Sequence, residues 1–298
     1  MEKQLWKACK DGKVNKVRKL LQKQHQLDIN WRNDADYYET PFYIACVKGH
    51  IEVMKLLIND LRVDVNQADK HGTSYFWIAC QHGHIDIVKE LLNDQRVDVN
   101  KTASLGWTSL FIACYKGHVE IVKLLLNDQR VDVNQANING ETPFYIACWK
   151  GYDEIINVLV KDERVDINKG DDSGSSPLYI ACEKGYIKVV RILLRSRGIC
   201  VSTDSFSSCL SAANKGGYTG IVELIGSFQN KQRREEEERK KEETRKKLEA
   251  EKKIKKLEKR KKEKRERKKI EEAERKRVEE EKLKLEEEIS NRIEVEIS

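Results

Sequence analysis

Six histidines and eight cysteines are the side chains of this 298-residue sequence best suited to hold a metal or act as nucleophiles. Their spacing argues against both. His50, His84 and His118 stand 34 residues apart, each directly after a glycine. Tyr152 and Tyr186 take the next two places in that series, so the row cannot be a set of ligands. His82 and His84 lie close together, yet no cysteine or carboxylate beside them has matching metal-site spacing. Cys46, Cys80, Cys114, Cys148 and Cys182 keep the same step of 34, and Cys9 has the same setting; each follows an alanine inside an apolar run. A thiol with no basic neighbour in such a run stays protonated and unreactive. Cysteine is also small and readily buried, so packing explains the placement. A disulfide framework is the competing reading, but equivalent residues of stacked units lie too far apart for it. Cys200 and Cys209 are irregular and read as free thiols. The phosphate-binding loop, H-E-x-x-H, G-x-S-x-G and kinase signatures are all missing. No catalytic residue, metal site or cofactor is expected, and the chain reads as a non-enzyme.

The step of 34 governs more than cysteine. The heptapeptide TPFYIAC occurs at 40–46 and again at 142–148, with near-copies between and after. Thr40, Ser74, Thr108, Thr142 and Ser176 share the step, as do Gly49, Gly83, Gly117, Gly151 and Gly185, and Asp64, Asp98, Asp132 and Asp166. A fixed period in this range is the mark of a solenoid, whose units bury their apolar faces only against one another. Thr or Ser provides a helix N-cap, and Pro41, Pro143 and Pro177 suit the first helical position. The run FYIAC then makes a short buried helix, ended by a glycine in the left-handed conformation. A second helix follows, for instance HIEVMKLLIND, with a broad apolar stripe. VDVN leads into a turn, for which Asn139-Gly140 is a strong signal and His71-Gly72, Leu105-Gly106 and Ser173-Gly174 are the equivalents.

GETPFYIACWKGY at 140–152 and GWTSLFIACYKGH at 106–118 resemble the G-x-T-P-L-H-x-A-A-x-x-G-H pattern of ankyrin repeats. The resemblance runs over about residues 1–228. It implies an all-α solenoid of helix-turn-helix units with projecting β-turn fingers, in about seven units near 1–33, 37–70, 71–104, 105–138, 139–172, 173–203 and 204–228. A three-residue insertion falls within WRNDADYYET, and the last unit is degenerate. Two departures from the pattern stand out. Cys replaces the second Ala, and Tyr43, Trp77, Phe111, Tyr145 and Tyr179 replace the family's His. That His ties neighbouring turns by hydrogen bonds; tyrosine can partly replace it, whereas Trp77 and Phe111 are expected to pack. His50 and its equivalents are implied to start the second helices.

Ankyrin arrays bind through the fingers and the exposed face of the first helices. Carried over position by position, the resemblance places Leu105, Trp107, Tyr115, Ile138, Glu141 and Trp149 on that surface. Lys70 and His71 lie on one side, Asp172 and Glu183 on the other. The expected partner is a protein or peptide segment with an apolar anchor, because Trp and Tyr are frequent binding hot spots. The competing reading is that these rings pack against their neighbours and support an unusual repeat geometry.

Beyond residue 228 the composition changes. Residues 231–298 hold 28 Lys or Arg and 22 Asp or Glu, nearly all of the protein's net charge of +7. Glu235 and Arg239, Glu236 and Lys240, Glu242 and Lys246, Glu243 and Lys247, and Glu271 and Arg275 stand in the i,i+4 order that supports a helix. Residues 229–298 are therefore expected to form a long charged helix, acting as a spacer or oligomerisation element. Three states stay open: a lone helix, a partial coiled coil and disorder. Leu248, Ile254 and Leu257 begin a seam, but nothing apolar and large follows until Ile270. Val278, Leu283, Leu285, Ile289 and Ile293 suit a short coiled coil near 278–293 with weak self-association. Lys252, Lys253, Lys255, Lys256, Lys259, Arg260, Lys261, Lys262, Lys264, Arg265, Arg267, Lys268 and Lys269 form a basic block, the basis of an alternative role as a nucleic-acid or anionic-membrane tether. No aromatic stacking module or recognition-helix pattern accompanies that block. With no long apolar run and no signal-type start, a soluble cytoplasmic protein is expected; nuclear residence is the alternative.

Overall fold

A Ser or Thr cap opens six of seven helix pairs, and the first pair starts behind Met1 with no side-chain cap. The computed structural model describes residues 1–23, 26–33, 39–200 and 202–297, with the side chains of 23, 203 and 287–297 left aside. The chain divides into two units, Met1–Phe228 and Gln229–Ser298. In the first unit the pairs are α1 (Glu2–Lys10) with α2 (Val14–Lys23), α3 (Pro41–Val47) with α4 (Ile51–Ile58), and α5 (Tyr75–His82) with α6 (Ile85–Asn93). They continue as α7 (Ser109–Lys116) with α8 (Val119–Asn127), α9 (Pro143–Lys150) with α10 (Asp153–Leu159), and α11 (Pro177–Glu183) with α12 (Ile187–Arg195). The last pair is α13 (Thr203–Lys215) and the first residues of α14 (Thr219–Ile297). The described residues hold isolated bridges, Asn33 to Glu39 and Ala68 to Ser74, and no strand ladder.

The expected caps form. Thr40, Ser74, Thr108, Thr142 and Ser176 each accept a hydrogen bond from the amide three residues on. Gly83, Gly117 and Gly151 close their helices with φ of 76°, 83° and 75°, values that suit glycine. The degenerate last unit has a cap of its own: Ser202 accepts from Ser205 N–H and opens α13, which at 13 residues is longer than the other first helices. The insertion expected within WRNDADYYET overlaps residues 34–38, which lie outside the described residues.

One continuous core runs through the stack. Ala45, Cys46, Ala79, Cys80, Ala113, Cys114, Ala147, Cys148, Ala181 and Cys182 have no solvent exposure. Burial pushes the Cys9 thiol up to about 12, and Cys46, Cys80 and Cys114 go higher still for the same reason. All eight cysteines are free thiols, and only Cys200 is exposed. Bulk beside them is aromatic: Phe42 and Tyr75 lie 4.6 Å apart between ring centroids, and Thr40 donates to the Tyr75 hydroxyl at 2.9 Å across the repeat boundary.

Polar ladders tie each repeat to the next. The carboxamide of Asn100 donates to Arg130 C=O at 2.7 Å and accepts from Asp132 N–H at 2.8 Å. Asn30, Asn66, Asn134 and Asn168 repeat this double bond. Each amide side chain thereby acts like an inserted peptide unit. A second ladder uses arginine. Arg96, Arg130 and Arg164 hold Asp94, Asp128 and Asp162 two residues back, and donate to Ile58, Leu92 and Leu126 C=O at the end of the preceding repeat's second helix. A cation there also opposes the negative end of the helix dipole.

The third ladder gives the histidines their role. They sit at the expected start of the second helices, but make no side-chain cap there. Instead Nε2 of His50, His84 and His118 reaches back to the carbonyls of Lys10, Val47 and Gln81, at 3.1, 3.0 and 3.0 Å. A carbonyl only accepts, so the proton is on Nε2. The ring rests on the preceding turn glycine: a Cβ at Gly12, Gly49 or Gly83 would come within 2.9 Å of it. Tyr152, Tyr186 and Tyr218 fill the same place over Gly117, Gly151 and Gly185.

Replacing Asn100 by Ala removes two inter-repeat hydrogen bonds and should cost about 1–3 kcal/mol in urea unfolding. The surface change Lys123→Ala, made as a control, should stay within about 0.5 kcal/mol. A second expectation concerns acid. Side-chain hydrogen bonds from Arg96 and Arg130 hold Asp94 and Asp128 below the ordinary aspartate value of 3.8. A carboxylate depressed in the folded state contributes fully above its unfolded value, and the contribution disappears as pH falls through the folded value. The urea midpoint should therefore drop below about pH 4 in the parent and less steeply in Asp94→Asn/Asp128→Asn, which should also be the less stable protein at neutral pH.

Candidate partner-binding surface

Finger geometry follows from one residue in each turn. Asp69, Asn137 and Asp171 use Oδ1 to accept from the amides two and four residues on, which shapes the loop. The second of these four fingers has Ala103 at that position and so has no such acceptor. Its backbone takes another route: Leu105 adopts φ +65°, the sole non-glycine residue with positive φ among the described residues. That conformation is unfavourable for a branched side chain. Neighbouring fingers are pinned by Ser104 N–H to His71 C=O (2.9 Å), Ile138 N–H to Leu105 C=O (3.0 Å) and Asp172 N–H to Asn139 C=O (3.0 Å).

The same finger breaks a side-chain series. Tyr43 and Tyr145 donate to Asp69 and Asp171 at 3.4 and 2.9 Å, linking a first helix to the next finger. These are the bonds expected in place of the family's histidine; among the described residues Tyr179 makes none. Trp77 occupies the equivalent place opposite Ala103. It is 7% exposed, and its indole Nε1 is buried with no acceptor among the described residues. Phe111 is buried, as expected of a packing residue. Trp77 lines an open cleft of about 400 Å³ together with Asp69, His71, Gln81, Leu105 and Trp107.

The rings of the patch divide into two kinds. Trp107 and Tyr115 are half-buried, 5.3 Å apart between centroids, and Trp107 also meets Phe111 at 5.1 Å. Leu105, Ile138 and Trp149 project, with 56%, 63% and 36% of their surface exposed. Lys150 joins the two groups: its Nζ is 4.0 Å from the Tyr115 ring and 4.8 Å from the Trp149 ring. Glu141 receives a bond from Asn137 in its own finger at 2.6 Å. Lys70, His71 and Asp172 are exposed on the fingers, and Glu183 meets Lys184 at 3.6 Å. Sequence reasoning missed two contributors, Lys150 and Lys184, although each directly precedes a turn glycine at the fixed period. It also missed the Trp77 donor, because the emptiness of position 103 matters only once the finger faces it.

In the second unit α14 is one helix, and every described side chain from 231 to 286 is exposed, the thirteen cations of the basic block included. Lys240, Lys246 and Lys247 pair with Glu236, Glu242 and Glu243 as expected, while Lys231–Glu235 and Arg245–Glu249 add further i,i+4 pairs. Leu248, Ile254, Leu257, Ile270, Val278, Leu283 and Leu285 are each more than half exposed. Ile289 and Ile293 lie outside the described side chains. Among the described residues no helix is long and apolar enough to cross a membrane, and no group of three His, Cys, Asp or Glu is arranged to hold a metal ion.

Comparison with known proteins agrees with this architecture. A family model for ankyrin repeats in three copies matches residues 5–103 and 95–171, and a single ankyrin-repeat model matches 173–204. The crystal structure of EF0377, an ankyrin repeat protein, is 29% identical, covering 66% of this chain and 99% of its own, with a TM-score of 0.61. An ankyrin repeat domain, ABAYE2397, from Acinetobacter baumannii AYE is 27% identical, covering 64% of this chain and 95% of its own, with a TM-score of 0.58. Repeats of this type generally mediate protein–protein interaction. With the capped helix pairs and fingers lying where the family models match, at 5–171 and 173–204, the chain belongs to the ankyrin-repeat family.

Proposed function

We propose that the protein is an adaptor or scaffold that holds a protein partner on the finger and first-helix surface of its repeats, and that it catalyses no reaction. The observation that carries this reading is the finger at 103–107. It holds an exposed leucine in an unfavourable backbone conformation, lining one cleft with Trp107 and with an indole donor that has no acceptor among the described residues. Backbone strain of this kind persists where the surroundings over-determine it, and it collects at functional positions. Leu105, Ile138 and Trp149 serve as apolar anchors. Trp107 and Tyr115 form the floor, and Lys70, His71, Glu141, Asp172 and Glu183 lie at the rim. The reading places the chain in the cytoplasm, where thiols such as its eight cysteines stay reduced.

The charged helix acts as a spacer. At about 1.5 Å per residue, residues 229–297 reach roughly 100 Å. Lysine and arginine interrupt the apolar seam between Leu257 and Ile270, and two copies aligned in register would set like charges side by side there. A nucleic-acid or membrane tether working through 251–270 is the alternative role for this segment.

Leu105→Gly should relieve the strained turn and leave stability unchanged or raised by up to about 1 kcal/mol, while partner recovery in a pull-down with the intact chain falls. Trp149→Ala should likewise lower recovery and shift the urea midpoint little, whereas Trp107→Ala should lose both recovery and stability, the latter by about 1–3 kcal/mol. Unchanged recovery with all three variants would sink the adaptor reading. For the tail, sedimentation of the full chain should show a monomer across a hundredfold range of concentration, about 1 to 100 μM; a concentration-dependent dimer would make it an oligomerisation element instead.

A further inference from the structure

In five consecutive repeats a basic residue stands at the end of the first helix, directly before a turn glycine: Lys48, His82, Lys116, Lys150 and Lys184. Burial, together with the charges of His84 and Lys116, holds His82 below the ordinary imidazole value, so the four lysines carry the charge. Opposition to the helix dipole accounts for a basic residue at such an end. It does not account for what surrounds these. Lys150 Nζ sits between the rings of Tyr115 and Trp149, and Lys184 Nζ lies 5.8 Å from Trp149, so ring and ammonium alternate across three repeats. Among the described residues no carboxylate is within ion-pair distance of Lys48, Lys116 or Lys150. Lys184 alone has a counter-charge, Glu183, and that pair is largely exposed. The strip is thus a run of four lysines, interrupted at His82, in which only Lys184 has a matching anion; at His82 it adjoins Gln81 of the cleft that holds the Trp77 donor and the Asp69 carboxylate.

We propose that this strip binds an acidic peptide segment in an extended, polyproline-II-like form, with a carboxylate at every third residue and an apolar side chain seated beside Leu105 and Trp107. The inference rests on the reading that a partner docks on this face. Register sets the period of three. Packed helices lie about 8–10 Å apart. A polyproline-II chain advances about 3.1 Å per residue with three residues per turn, so one edge returns every ~9 Å and meets each repeat in turn. A β-strand presents the same edge every second residue, about 6.6 Å apart, and drifts out of step. A peptide also suits the cleft better than a nucleic acid. The Trp77 N–H can donate to a peptide carbonyl and Asp69 can accept from a peptide N–H, while the Asp69 carboxylate would repel phosphate.

The test uses the full chain and fluorescein-labelled peptides of roughly twelve residues, about the length that spans four repeats at this rise. Two peptides share one composition of Glu, Leu, Pro and Ser, with glutamates either three apart or two apart. The basic tail attracts both alike, so the difference between them reports on the strip. Anisotropy near 150 mM salt should show the three-apart peptide binding about tenfold more tightly, with that preference lost in Lys116→Gln/Lys150→Gln and kept in Lys116→Arg/Lys150→Arg. The arginine pair and a urea melt of each variant separate lost charge from lost folding. Equal affinity for the two spacings, a preference that survives the glutamine pair, or lysine-dependent binding of a labelled oligo-dT in place of the peptide would each overturn the proposal. Failure of the peptide series alone removes the acidic assignment. If Leu105→Gly and Trp149→Ala also leave protein-partner recovery unchanged, the docking face itself is wrong.

Discussion

Every repeat depends on side chains of the repeat before it, or after it, to satisfy its own backbone. The asparagine of one unit fills a carbonyl and an amide of the next. Arginine and histidine reach back to carbonyls at helix ends that have no intrahelical partner. Buried polar groups left unpaired are costly, so a single unit cut from the stack would carry exposed apolar surface and orphaned peptide groups together. The period of 34 is the sequence form of this constraint. A residue type at one position must suit both its own helix and the neighbour it contacts.

Against that regularity, the finger at 103–107 is the irregular one. Two of the other fingers turn around an aspartate that also receives a tyrosine hydroxyl from the preceding first helix. With Ala103 and Trp77 in these places, the turn loses its internal acceptor and the helix loses its partner at the same point. The chain accommodates this by twisting Leu105 to positive φ, which sets an apolar side chain at the tip above the open cleft. One pair of substitutions thus creates strain, an unsatisfied donor and an exposed anchor together. The aromatic patch is part support and part surface: Trp107 and Tyr115 lean on the core, while Trp149 stays outside it behind Lys150.

The charged helix follows a different logic. Its described side chains beyond 230 are all exposed, and its order rests on good helix formers and i,i+4 pairs rather than on a buried face. Large apolar residues are too sparse across 258–269 for a continuous seam. The solenoid is held by contacts at distance, and this segment by contacts within a turn.

Fold and helix limits were legible in the sequence because they depend on local chemistry repeated at a fixed step: Thr or Ser to cap, Pro to start, Gly to stop, and Ala-Cys where the stack is tightest. The tail helix was legible for the same reason. The ladders were visible only as recurring letters. That Asn100 bridges to Arg130 and Asp132, and His118 to Gln81, depends on which faces the stacking brings together. The candidate surface was half legible: its rings could be named from their positions. Tertiary structure alone decided which of those rings face solvent, that Lys150 lies between two of them, and that Trp77 faces an alanine. Those facts belong to pairs of residues on neighbouring repeats, and their distance is set by packing rather than by the chain between them.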